Sequence, residues 1–147
     1  MGSGEIVAEV EVRPTEDEDK VLRALLNVFE PEKIEKVSLG EKVVIRATAS
    51  SLASLQRLHR LLRAQEILEA ARSYMLKSVK GDTVTILLHK QAAYEGKISL
   101  LSWDSESPLG PIKITITFRP NVRDVIDWLS PPTSQGKPLY ERPMPDP

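Results

Sequence analysis

Apolar residues recur at every second position over residues 5–12 (EIVAEVEV): Ile6, Ala8, Val10 and Val12 share one face of a strand, and Glu9 and Glu11 take the other. The same period of two returns over residues 42–49, with Val43, Ile45, Ala47 and Ala49 set against Val44, Arg46 and Thr48. It returns again over 83–88, with Val84, Ile86 and Leu88, and over 112–118, with Ile112, Ile114, Ile116 and Phe118 against Lys113, Thr115 and Thr117. Residues 34–39 and 97–103 read as two further short strands, and Gly40 turns the first of them into the 42–49 strand as a hairpin. Strands with one apolar and one polar face belong to a sheet covered on one side.

Between these stretches the apolar period lengthens to that of a helix. Thr15 and Glu18 fit a capping box ahead of Val21, Leu22, Leu25, Leu26 and Phe29, and Pro31 ends the run. Ser51 can cap a helix carrying Leu52, Leu55, Leu58, Leu61 and Leu62. A second stripe, Ile67, Leu68, Ala71 and Met75, continues toward Val79, and the spacing predicts a break near Ala64 and Gln65. Asn121 caps a last helix with Val122, Val125, Ile126 and Leu129. The order predicts an α+β fold of two layers, a largely antiparallel sheet of about six strands with helices packed on one face. It fills a single domain over residues 5–129. Residues 130–147 hold six prolines and few core formers, and read as a proline-rich arm, extended on the surface or disordered.

Composition narrows the chemistry. The 147 residues contain no cysteine, which excludes disulfides, thiolate metal sites and a cysteine nucleophile. The two histidines, His59 and His89, lie far apart in the chain without metal-ligand spacing, so no metal or other cofactor is expected. No apolar run reaches the roughly 20 residues that span a bilayer, and MGSGEIVAEV lacks the features of a signal peptide. The cytoplasm is the expected compartment, with no membrane partner. No nucleophile motif is present, and the acids of TEDEDK (residues 15–20) suit a helix N-terminus better than a calcium loop. The expectation is a protein that is not an enzyme.

The net charge of −1 conceals a division along the chain. Residues 1–41 carry 5 Lys/Arg and 11 Asp/Glu, whereas residues 42–80 carry 8 and 2. Inside the basic segment lies RLHRLLR, residues 57–63. Its leucines share one helix face, so Arg57, His59 and Arg60 project from the other, with Arg63 nearer the edge. Arg72, Lys77 and Lys80 extend the patch if the two helices lie side by side. Guanidinium groups in such an array can fork onto phosphates, and solvated charges on an ordinary amphipathic helix are the competing reading. HKQAAYEGK, residues 89–97, is the second candidate: Lys90, Gln91, Tyr94 and Lys97 combine donors with one stacking ring, as single-stranded RNA contacts do. Local packing of Leu88, Ala92 and Ala93 is the alternative there. SPLGPI, residues 107–112, lacks the phosphate-loop pattern and reads as a rigid entry into the last strand.

Four segments in order, RPTED (13–17), RAQEILEAAR (63–72), LHKQAAYEGKISL (88–100) and ESPLGPIKITI (106–116), resemble a family of archaeal proteins grouped as predicted RNA-binding. Its relatives include an exosome-associated protein described as having a double-stranded-RNA-binding-like fold. The resemblance spans about residues 5–128 and implies an antiparallel sheet covered by helices, similar to large-subunit ribosomal protein five. It implies RNA as the partner and brings no catalytic residue with it. The other reading is an interaction module, docking a protein partner or forming a homodimer through exposed sheet edges or the proline-rich arm.

Overall fold

The computed structural model describes residues 3–102, 110–119 and 121–145. The chain runs β1 (Ser3–Val12), α1 (Glu18–Val28), β2 (Lys33–Leu39), β3 (Lys42–Ala49), a 3-10 turn (Leu52–Leu55) leading directly into α2 (Gln56–Ala64), and α3 (Leu68–Ser78). It continues as β4 (Thr83–His89), α4 (Lys90–Tyr94), β5 (Pro111–Arg119), α5 (Arg123–Leu129), β6 (Thr133–Ser134) and β7 (Lys137–Pro138). The first five strands form one sheet in the order β2-β3-β1-β5-β4, and β6 and β7 form a separate two-stranded ladder. Every pairing is antiparallel.

Register follows from the alternation. Ile6 of β1 faces Ala49 of β3 and Ile116 of β5, and Ile116 faces Val84 of β4. The inward side chains therefore align in rows, and a slip of one residue on any strand would turn its apolar set to water. Against this face pack Phe29, Leu52, Leu55, Leu58, Leu62, Met75 and Trp128, all buried. The opposite face of the sheet is the more open one among the described residues, with Arg46 and Lys113 exposed on it and Leu87 buried at its β4 edge. Glu9, Arg46 and Lys113 stand there in one cross-strand row, with Thr48, Val7 and Thr115 in the next.

Two expectations change. The stretch 97–103 is not a sixth strand of the sheet: over its described residues it makes one bridge, Leu88 to Leu100. It is held there by His89 N–H donating to Ser99 O at 2.9 Å and Leu101 N–H donating to Leu87 O at 2.8 Å. Gln65 fixes its start, donating to Ile98 O at 2.9 Å and accepting from Ile98 N–H at 2.6 Å. The Tyr74 hydroxyl donates to Leu101 O and accepts from Leu87 N–H, so a side chain takes the edge group that a strand would have used. Second, α1 begins later than the Thr15 box implies. Asp17 is its N-cap, accepting from Asp19 N–H at 2.9 Å, while Glu16 turns back to Arg13 N–H. The break between α2 and α3 lies where the spacing places it, with Glu66 in the left-handed region at φ 57°. The SPLGPI loop lies largely outside the described residues, although Gly110 has φ 84° at the entry to β5.

Candidate nucleic-acid interface

The 3-10 turn and α2 grow from Ser51, whose hydroxyl accepts from Ala53 N–H at 3.1 Å. Leu58 and Leu62 anchor α2 to the core, so Arg57 and Arg60 face outward as the pattern requires, whereas His59 and Arg63 are half-buried. Their charges, however, are largely engaged. Arg57 donates to Leu26 O and lies 3.1 Å from Glu30, tying α2 to the end of α1. His59 stacks on Trp128, with ring centroids 4.9 Å apart. Burial there, together with the nearby Arg63 charge, holds the His59 imidazole below its ordinary pKa.

Arg63 is the most committed. It donates to His59 O at 2.9 Å, to Leu129 O at 2.9 Å, to Trp128 O at 3.2 Å and, through Nε, to Glu141 at 2.9 Å. Arg72, on α3, reaches Asp127 at 2.8 Å and Ser130 O at 3.0 Å. The two guanidinium groups thus satisfy carbonyls at the C-terminus of α5, where a helix leaves acceptors unpaired and its dipole favours cations. Arg60 alone of the three arginines in RLHRLLR is exposed without an ion pair among the described residues.

The second candidate stretch divides likewise. His89 caps α4, its Nδ1 accepting from Ala92 N–H at 3.2 Å. Lys90 is buried: its ammonium donates to Glu11 O at 2.7 Å and to Glu16 at 2.9 Å, a pair whose side chains are 7% and 10% exposed. Asn27 of α1 closes the other end of α4, donating to Ala93 O at 2.9 Å and Tyr94 O at 3.1 Å. Gln91 and Lys97 are exposed and Tyr94 is half-buried. Thr15, Lys20, Gln91 and Tyr94 surround an open cavity of about 590 Å³ above the Lys90–Glu16 pair.

Lys77 and Lys80 are placed differently. With Lys113 of β5 they line a groove of about 470 Å³ between α3 and the open face at the β4 edge. Ser78, Thr83 and Thr85 add hydroxyls, and Tyr74 and Leu87 form its apolar part. All three lysines are exposed, and none joins an ion pair among the described residues. The acid adjoining the groove in sequence, Asp82, is bound by Arg119, which holds its carboxyl below the ordinary range. Glu9 stands opposite Lys113 in the register without forming an ion pair with it. Lys113 was missed by sequence reasoning, because a single lysine on the polar face of a strand carries no signal until topology sets it beside α3. No group of three or more His, Cys, Asp or Glu suited to a metal occurs among the described residues, and no described helix is long and apolar enough to cross a membrane.

Comparisons with known proteins agree with this architecture. A family model described as RNA binding matches residues 5–118. A UPF0201 protein of Aeropyrum pernix is 56% identical over 142 residues, covering 96% of this chain and 94% of its own length. One from Sulfurisphaera tokodaii is 48% identical over 140 residues, covering 95% and 96%. Among solved structures, the UPF0201 protein from Methanococcus jannaschii superposes with a TM-score of 0.83 at 29% identity, over 92% of this chain and 99% of that one. A further UPF0201 structure gives 0.73 at 38% identity, with the same coverage. The chain belongs to the archaeal UPF0201 family, in agreement with the archaeal resemblance carried by its four sequence segments.

Proposed function

We propose that this protein binds RNA through its phosphate backbone, and that the contact is the lysine groove between α3 and the β4 edge. The observation that supports it most is the convergence of Lys77 of α3, Lys80 of the turn after it and Lys113 of β5 on one open groove lined by hydroxyls. Ammonium groups free to leave water for phosphate release counterions on binding, and this supplies affinity without reading sequence. The basic helix α2 contributes Arg60 at most, since Arg57 and Arg63 hold α1, α5 and the C-terminal segment in place. The family description supports RNA as the polyanion.

The test is titration of labelled single-stranded and hairpin RNA with the full chain, a K77E/K80E/K113E variant and an R60E variant. The triple variant should lose binding by tenfold or more, and R60E by much less. Equal binding by the triple variant and the parent overturns the groove as the site. No binding by the parent at low salt overturns the function.

A further inference from the structure

The two edges of the main sheet are finished differently. β4 is covered along Leu87–His89 by the segment around Leu100 and by Tyr74. Among the described residues β2 has no such cover, and all seven of its residues are exposed. It contains no proline, and its register with β3 is unbroken from Lys33–Thr48 to Leu39–Lys42. Edge strands are usually protected by charge, chiefly lysine. Here both lysines are matched within the chain, Lys33 to Glu35 at 2.8 Å and Lys36 to Glu18 of α1 at 2.9 Å. Apolar side chains remain beside them: Ile34, Val37 and Leu39 are 47%, 39% and 59% exposed.

We propose that β2 pairs antiparallel with β2 of a second copy of this chain, about a two-fold axis at Val37, joining two sheets into one. The register follows from geometry and charge. In a hairpin with a two-residue turn the closing pair, here Leu39 and Lys42, exchanges hydrogen bonds. Alternate residues of β2, namely Ser38, Lys36 and Ile34, therefore turn their N–H and C=O groups outward. A two-fold axis sets one residue against its own copy. An axis at Glu35 or Lys36 opposes like charges, which is destabilising. An axis at Ile34 or Ser38 pairs only three residues of the strand with their copies.

The axis at Val37 pairs residues 35–39 and sets Lys36 against Ser38 of the partner subunit. On the open face Val44 already stands beside Val37. Pairing would extend this to a row of four valines, two from each copy, with Leu39 and the partner's Leu39 on either side.

Two readouts on the full chain decide the matter. By light scattering over a concentration series the parent should show twice the 16.4 kDa chain mass, and Val37→Lys should show 16.4 kDa. The chain has no native cysteine, so single-cysteine variants report register directly. Val37 and its copy form a non-hydrogen-bonded pair with Cα atoms about 4.5 Å apart, within disulfide range. Oxidised Val37→Cys should give a covalent dimer in at least tenfold higher yield than Lys36→Cys or Ser38→Cys. A parent at 16.4 kDa throughout, a dimer unaffected by Val37→Lys, or equal cross-linking of the three cysteine variants would overturn the proposal. If Val37→Lys fails to fold, the cysteine series still decides.

Discussion

Arg60 and Arg63 stand three positions apart on one helix, and their side chains do opposite things. Arg60 projects into water, whereas Arg63 is 21% exposed and donates to the carbonyls of Leu129 and Trp128 and to Glu141. Removing Arg63 leaves partly buried acceptors without partners, which costs about 1–3 kcal/mol. Arg63→Ala should therefore lower the melting temperature by several degrees, and Arg60→Ala should leave it within error, as thermal unfolding followed by circular dichroism will show. Lys90 is the stronger case. Replacing it with Met leaves the buried Glu16 carboxylate, among the described residues, with no cation beside it and only the Arg13 N–H as donor, and loss of one member of a buried pair costs about 3–5 kcal/mol. Urea unfolding of Lys90→Met should show a much lower midpoint, and a midpoint equal to that of the parent would contradict this reading of the pair. These roles were invisible in the sequence. RLHRLLR states which face an arginine takes, not which carbonyls from residues 128 and 129 come to meet it.

At the scale of elements, long periodic runs were readable and short ones were not. The leucine stripe of α2 and the alternation of β5 survive because each buries a continuous face, and burial decides conformation. The 97–103 stretch failed because its backbone groups found Gln65 and Tyr74, partners distant in the chain, in place of a neighbouring strand. The five-residue α4 lacks an apolar period long enough to detect, yet His89 and Asn27 cap both its ends.

The C-terminal segment offers a pH test at this scale. It crosses α2 and α5 through Glu141 on Arg63, beside the His59–Trp128 stack. Hydrogen bonding from Arg63 holds the Glu141 carboxyl below its ordinary 4.5, and burial holds His59 below 6.5. Both groups bind protons more readily when unfolded, so both contributions are complete above the ordinary values and fall away as pH drops through the lowered ones. Packing at Trp128 should be constant from pH 7 to 8, loosen in a first step centred below the ordinary histidine value as His59 protonates, and loosen further in a second step centred below the ordinary carboxylate value as Glu141 protonates. Trp128 fluorescence in a Trp103→Phe background reports it, and His59→Phe should abolish the first step.

At the scale of the whole molecule, the charge division along the chain is largely neutralised by folding. Acids of residues 1–41 meet bases from beyond that segment in Glu30–Arg57, Glu11–Lys42 and Glu16–Lys90, and Glu18 meets Lys36 within it. A basic run in sequence is thus a poor guide to a basic surface, because folding pairs charges that the chain keeps apart. What survives of the basic segment as a cluster is the lysine groove, assembled from α3, the turn after it and β5, while Arg46 and Arg60 stand exposed apart from it. The open β2 edge lies at the opposite end of the strand order, so a dimer formed there leaves both grooves accessible.

The most direct measurement is the salt dependence of RNA affinity for the parent and the K77E/K80E/K113E variant. Three phosphate contacts to a single strand should give the parent a slope of log K against log salt about 2 units steeper than the variant's. Parallel lines for the two proteins would contradict the central claim that these three lysines meet phosphate.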